Sequence, residues 1–138
     1  MAYVCVEPCE DALNKFNEFK KTKNITTIML NIRKIEGIDH VVFVKNFFQD
    51  STEEDIINSL PDYEPIFIYR KINLNNKEEK IISIVFFPIN ARSNQKMLYA
   101  VIHKELNSKL KDIFETITTG EPSDIYKENI LKKLLKLN

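Results

Sequence analysis

The chain has 138 residues, 43% of them hydrophobic, and its 20 Lys and Arg residues balance 20 Asp and Glu residues, so the formal net charge is zero. This length suits a single domain, 1–138, whose core needs no metal or disulfide. A balanced charge argues against a dedicated nucleic-acid-binding protein, which usually carries a basic excess. No apolar run approaches the roughly 18 residues of a membrane-spanning helix. The N-terminus also lacks a secretory signal pattern, so we expect a cytoplasmic protein.

The sequence offers little for metal binding or catalysis. Cys5 and Cys9 are the only cysteines, and two thiols with no histidine at ligand spacing do not make a zinc site. His103 has no cysteine or G-x-S-x-G serine that would make it a partner base. The carboxylates of 53–55 are explained by helix capping and by solvent. We therefore predict no metal, no cofactor and no enzymatic activity.

The first half of the chain predicts two helices and two strands. A helix is predicted over Pro8–Lys20, because proline suits the first helical position and the apolar residues recur at helical spacing. Two strands follow, Ile25–Ile32 and about His40–Phe47, with a turn at Gly37 between them. The segment Ser51–Glu54 has the form of a capping box and begins a short second helix.

The second half predicts three more strands and two helices. The polar segment Asn73–Glu79 is a natural hairpin loop between two strongly apolar runs. Neighbouring strands joined by short turns imply a mixed, mostly antiparallel five-stranded sheet flanked by helices, which is the α+β class. The predicted elements are the strands Pro65–Ile72, Lys80–Phe87 and Phe114–Thr118, the long helix within Pro88–Leu110, and a last helix from Ser123 to Leu137.

The long helix has two apolar sides. At about 100° per residue, one apolar stripe occupies a sector about 80° wide, and it consists of Tyr99, Ile102, Leu106, Leu110 and Ile113. Met97 and Val101 fall on nearly the opposite side, surrounded by Lys96, Lys104 and Ser108. A helix that lies on a domain needs only one apolar stripe. We therefore predict that the second pair points outward as a protein-binding surface, the alternative being that a loop or terminus covers it.

The string Lys96-Met97-Leu98-Tyr99-Ala100, which follows Phe87-Pro88, resembles the long-helix signature of actin-depolymerising factor homology domains. In that family a K-M-[IL]-Y-A helix after an aromatic–proline step binds actin or an actin-related protein. The likeness extends over most of the chain and includes Val4, Val6 and Cys9. The resemblance implies the fold of that family and a non-enzymatic role in the actin cytoskeleton.

Within this family the chain is most similar to the glia maturation factor branch, at Glu10-Asp11, 28–32, 60–68 and 112–115. That resemblance implies a protein that binds the actin-related protein 2/3 complex, inhibits branched nucleation and promotes debranching of actin filaments at the branch junction. The alternative is a divergent cofilin that binds actin monomers and filaments and severs or depolymerises them. Lys96 is the cofilin-like residue, whereas Asn94 stands where cofilins carry a basic residue.

The resemblance also implies two partner-binding surfaces on a monomeric protein. The first is the outward face of the long helix together with the N-terminus, and it comprises Asn94, Lys96, Met97, Ala100, Val101, Lys104, Ala2, Tyr3 and Val4. The second is the hairpin loop between the third and fourth strands, with help from the tail helix, and it comprises Lys71, Asn73, Asn75, Asn76, Lys77 and Glu78. In the debranching interpretation, this second surface contacts the first actin subunit of the daughter filament.

Overall fold

A mixed β-sheet forms the centre of the computed structural model, which describes residues 7–8, 10–74 and 78–136. Within these residues the strands lie in the order β1-β3-β2-β4-β5-β6. They are β1 (Glu7–Pro8), β2 (Ile25–Ile35), β3 (Ile38–Phe48), β4 (Ile66–Leu74), β5 (Glu78–Phe86) and β6 (Ile113–Thr119). The four central strands pair antiparallel, while β1–β3 and β5–β6 are parallel. The predicted α+β class and mixed, mostly antiparallel sheet are confirmed, with the two-residue β1 as an additional edge strand.

Helices cover both faces of the sheet. They are α1 (Glu10–Lys21), α2 (Glu53–Asn58), α3 (Ser93–Lys109) and α4 (Lys127–Lys136), with a 3₁₀ turn over Pro122–Ile125. Side chains of α1 and α3 share one hydrophobic cluster with the sheet, which we call the front core. Side chains of α2, the 3₁₀ turn and α4 share the other, the back core. None of the helices in the described residues is long and apolar enough to cross a membrane.

Alternation along β2 supplies both cores. Ile28 and Leu30 belong to the front core, whereas Met29 between them belongs to the back core. Successive side chains of a strand point to opposite faces, so a strand with helices on both sides reads as a continuous apolar run. The near-continuous burial of β4 and β5 has the same cause.

Three predicted boundaries are wrong. Pro8 does not begin a helix, because it pairs in parallel with Val41 of β3, and α1 begins at Glu10. The capping box lies one residue later than predicted, since the N-cap is Thr52, which exchanges hydrogen bonds with Asp55. The last helix is interrupted at Tyr126, where the 3₁₀ turn ends before α4. Cys5 and Cys9 lie outside the described residues.

The hairpin of β2 and β3 is longer than predicted. Its two-residue turn consists of Glu36 and Gly37, with φ values of 52° and 79°, the left-handed pair that type I′ hairpin turns need. Because this turn is so tight, Ile35 pairs directly with Ile38 and the ladder continues to the tip. The strands therefore extend beyond the apolar runs by which the sequence located them.

Candidate functional site

The candidate site is the outward face of α3, which follows a fixed turn at the end of β5. Phe87 donates its N–H to Thr119 of β6 at 2.8 Å, and Ala91 donates to Pro88 at 3.0 Å. Pro88 and Ala91 are both buried. The helix therefore begins at Ser93, five residues after Pro88 where the predicted segment started. Its start is held by packed residues on the body of the domain.

The inward face of α3 is the predicted apolar stripe. Tyr99, Ile102 and Leu106 are each at most 2% exposed, and Leu110 just beyond the helix is buried as well. Ile113, which the same periodicity included, belongs to β6 instead. The periodic pattern continues by chance beyond the helix, which ends at Lys109.

The outward face carries the second apolar pair. Met97 is 71% exposed and Val101 is 57% exposed, so the prediction that they point outward is confirmed, and no loop within the described residues covers them. Asn94, Ala100 and Lys104 are exposed around them, and Lys96 is half-buried at the margin. Exposed apolar side chains within a polar rim are typical of a protein interface. Whether these residues bind a partner stays a prediction.

The charge on this face is positive. Lys96 and Lys104 have no ion pair among the described residues, and they flank the exposed pair. Unpaired lysines at a protein surface attract an acidic partner surface and increase the association rate. The face therefore suits a partner whose contact surface combines an apolar cleft with acidic groups.

A polar column, formed by Tyr99, His103 and Asn107, joins the inward side of α3 to three strands. The Tyr99 hydroxyl accepts the backbone N–H of Ile32 in β2 at 2.9 Å. Ser83 of β5 donates its hydroxyl to Asn107 Oδ1 at 2.9 Å. Because that hydroxyl hydrogen is then used, His103 Nε2, at 2.7 Å from Ser83 Oγ, is the donor in their contact. The third link is to β4, whose Tyr69 donates its hydroxyl to Asn107 Oδ1 at 2.9 Å.

His103 is held in its neutral form by this setting. Burial lowers the pKa of the imidazole to about 4, and the ring stacks on Phe67 with centroids 5.5 Å apart. Sequence reasoning missed Ser83 as the partner of His103, because the two residues lie 20 positions apart. Their proximity depends on the way α3 crosses β5, and no local motif encodes it.

The predicted second surface is only partly where the sequence suggested. Asn73 is exposed near the end of β4 and pairs with Glu79, and Glu78 is exposed in an ion pair with Lys80 at 3.1 Å. Asn75, Asn76 and Lys77 lie outside the described residues, as do Ala2, Tyr3 and Val4 of the first surface.

Lys71 corrects the prediction for this surface. The residue is 4% exposed. Its ammonium group donates to the backbone oxygen of Thr22 at 2.8 Å and lies 4.8 Å from the Phe19 ring centroid. Burial lowers the pKa of the amine. Asn73, two residues further along β4, lies on the same face of the sheet. The end of α1 covers Lys71 but not Asn73, so Lys71 does not contribute to an exposed surface.

The two surfaces lie far apart on the sheet. Phe67 packs on Tyr99 beneath α3 with ring centroids 4.9 Å apart, whereas Leu74 is the last residue of β4. At about 3.3 Å per residue, the intervening strand spans about 23 Å. Among the described residues, no three or more His, Cys, Asp and Glu side chains form a group that could hold a metal ion.

The fold and the exposed helix face define a class of protein. The chain matches the sequence profile of the cofilin/tropomyosin-type actin-binding proteins over residues 6–135. This match spans nearly the whole chain, so the protein belongs to that family.

Individual relatives come from several branches of the family. The cofilin of Kluyveromyces lactis is 28% identical over 136 residues, covering 94% of this chain and 92% of that protein. The crystal structure of Streptomyces griseoflavus cofilin superposes with a TM-score of 0.78 at 20% identity, covering 94% and 98% of the two chains. The glia maturation factor of Caenorhabditis elegans superposes with a TM-score of 0.72 at 18% identity, covering 95% and 96%. At these identities the structural likeness establishes the shared fold.

Proposed function

We propose that this protein binds actin through the outward face of α3 and remodels actin filaments in the manner of a cofilin. The observation that carries the proposal is the exposure of Met97 and Val101 on a helix whose other face is fixed to the core. Family membership and the similarity to K. lactis cofilin support actin as the partner. Lys96 beside Met97 is the cofilin-like choice in the helix motif.

The contact has a simple physical basis. Met97 is flexible and polarisable, and burying most of its side chain against a partner contributes about 1–2 kcal/mol. Val101 lies one helical turn further along the same face. Lys96 and Lys104 add charge complementarity at the rim, which mainly increases the association rate. The proposed activity needs no bound metal or cofactor and breaks no covalent bond, and we place the protein in the cytoplasm as a monomer.

A second candidate is debranching of actin networks through the actin-related protein 2/3 complex. The resemblance of the segments 28–32, 60–68 and 112–115 to glia maturation factors favours it, as does the fold shared with the C. elegans protein. In this function the α3 face contacts an actin-related subunit, and the exposed residues Asn73 and Glu78 contact the adjacent filament subunit. Two weak contacts on neighbouring subunits strengthen each other through effective concentration.

One pair of assays separates the candidates. Co-sedimentation with actin filaments, together with monomer binding, reports the cofilin function, while pulldown of the actin-related protein 2/3 complex reports the debranching function. Binding of actin without the complex supports the first candidate, and the reverse result supports the second. Failure to bind either actin or the complex would contradict both candidate functions.

The residues are tested by Lys96→Ala combined with Met97→Ala. We expect the double variant to lose at least tenfold in affinity for whichever partner binds, since removing about 1.4 kcal/mol lowers affinity tenfold. Its melting temperature should stay within a few degrees, because both side chains lie outside the core. The matched control is Tyr63→Ala, which removes a side chain of similar exposure, 72%, from the loop between α2 and β4. Retained binding by the double variant would exclude α3 as the contact.

A further inference from the structure

The apolar arc of α3 extends beyond the side of the helix that the sheet covers. At about 100° per residue, apolar positions run from Leu110 through Ile102 and Leu98 to Val101 and Met97, an arc of about 220°. The sheet covers only the first part, because Leu98 is half-buried while Val101 and Met97 are exposed. Hydrophobic contact has no preferred direction. The apolar surface that α3 buries would therefore be as large, or larger, if the helix rotated about its axis toward Leu98 and Val101.

The polar column lies at the other edge of the sheet-facing side of the helix, away from Leu98 and Val101. Its three residues follow one another at i, i+4 and i+8, which places them along one side. Together they bond to three strands: Tyr99 to β2, His103 to β5, and Asn107 to both β5 and β4. A roll toward Val101 would lift His103 and Asn107 from the sheet. It would also remove partners from the hydroxyls of Ser83, which is fully buried, and Tyr69.

These bonds oppose the roll more strongly than the apolar contacts favour it. A buried polar group that loses its partner suffers the full penalty of desolvation, and here several groups would lose partners together. The gain from covering one more half-exposed valine is smaller. Buried polar groups are known to set the register of packed helices in this way.

We propose that the polar column fixes the rotation of α3 on the sheet and thereby keeps Met97 and Val101 on the surface. Ser83, His103 and Asn107 are therefore positioning residues for the partner-binding face. The binding readout of this inference rests on the proposed function. The rotation itself can be measured without any partner.

The test is Ser83→Ala, read by hydroxyl-radical footprinting of the whole chain with mass spectrometry. The substitution removes the hydroxyl that links the column to β5 and leaves His103 Nε2 without an acceptor. We expect labelling of Val101 to fall at least twofold and labelling of His103 to rise above background. Affinity for actin should fall about tenfold when one molecule in ten keeps the competent rotation. Labelling of Val101 and His103 equal to wild type would overturn the inference.

Thr27→Val is the matched control. Thr27 is a fully buried strand residue like Ser83, but its hydroxyl accepts from Arg70 Nε at 3.1 Å on the other face of the sheet. This variant should lose comparable stability while keeping wild-type labelling at Val101 and wild-type binding. An equal loss of binding in both variants would show that the column only stabilises the fold, and it would overturn the positioning role.

A second variant, Asn107→Leu, removes the other links from α3 to Ser83 and Tyr69. The same change in Val101 and His103 labelling supports the inference, and wild-type labelling overturns it even if Ser83→Ala does not fold. Failure of the proposed function is distinguishable from failure of this inference. If wild type binds no actin while Ser83→Ala still alters the footprint, the rotation is confirmed and only the partner is wrong.

Discussion

The two faces of the sheet hold their helices by different chemistry. On the front, α3 is joined to the strands by the neutral hydrogen bonds of the polar column. On the back, Arg70 of β4 forms a charged hub, and its side chain is 3% exposed. Its guanidinium contacts Glu53 at 2.7 Å and donates to the backbone oxygen of Ile125 at 2.7 Å. Glu53 also accepts the backbone N–H of Lys127 at 2.6 Å, so a single ion pair joins α2, the 3₁₀ turn and α4 to the sheet.

The difference follows from what each face has to hold. Two of the three back elements are short, since α2 has 6 residues and the 3₁₀ turn has 4, and each of these two buries little apolar surface by itself. A charged group with many donors can gather several such elements at one point. The front carries the 12-residue α1 and the 17-residue α3. The longer helix buries enough apolar surface but must be held at one rotation. We conclude that the ion pair on the back holds several elements together, whereas the polar column on the front sets the orientation of one helix.

Arg70→Ala should have the largest effect on stability. It leaves Glu53 without its partner and unlinks three elements, so we expect a loss of about 3 kcal/mol in the free energy of unfolding. The measurement is urea denaturation. The control is Arg33→Ala, because Arg33 and Glu64 also pair at 2.7 Å but both side chains are well exposed. That pair should contribute less than about 1 kcal/mol. Equal losses would contradict the assignment of cohesion to the back face.

Acid should separate the two faces by pH range. Burial lowers the pKa of His103 to about 4 from its ordinary 6.5, so the unfolded chain takes up a proton before the folded protein does. Stability is therefore lost as the pH falls from 6.5 toward 4, by up to about 3 kcal/mol. His103→Leu should flatten this slope in urea denaturation between pH 7 and 4. An unchanged slope would contradict the buried, neutral state of the imidazole.

Protonation of Glu53 changes the stability in a lower pH range than protonation of His103 does. Its partial burial would raise the pKa, but the hydrogen bonds from Arg70 and from the Lys127 backbone outweigh that effect and lower it below its ordinary 4.5. The contribution of this carboxylate is complete above 4.5 and is lost as the pH falls through the folded-state value. Glu53→Gln should therefore leave the slope between pH 6.5 and 5 unchanged and alter it only below about pH 4.5.

Tyr99→Phe should have a smaller effect on stability than Arg70→Ala. It removes one acceptor from the backbone N–H of Ile32 and leaves the rest of the polar column in place. The expected loss is about 1–2 kcal/mol, with faster hydrogen exchange at the Ile32 amide. Exchange at the amides of β5, away from the substitution, should not change. Unaltered exchange at Ile32 would show that the bond contributes nothing.

Periodicity was sufficient to predict the main features of the fold. The strands of the sheet and both sides of α3 follow from apolar spacing, because burial on one or two faces leaves a regular pattern. The exposure of Met97 and Val101 could be predicted in the same way, since one stripe was already long enough for the core. The tight turn at Gly37 was also readable from local sequence.

Contacts between distant residues could not be predicted. Pro8 has the local preferences of a helix start, and only the position of β3 makes it a strand residue. The local sequence predicts that Lys71 is exposed. In the folded protein it is buried against Thr22 and the ring of Phe19 at the end of α1. The pairs Ser83–His103 and Glu53–Arg70 depend on which elements cross, and spacing along the chain carries no signal of that. The polar column was missed for this reason.

The central claim is that the outward face of α3 is the surface that contacts actin or an actin-related subunit. Its most direct test is a photo-reactive side chain placed at Val101, irradiated in mixtures with actin filaments and with the branching complex, and compared with the same group at Tyr63. We expect a cross-linked adduct from position 101 with an actin or actin-related subunit and none from position 63. Adducts from position 63 alone, or from neither position under conditions in which the protein co-sediments with its partner, would contradict it.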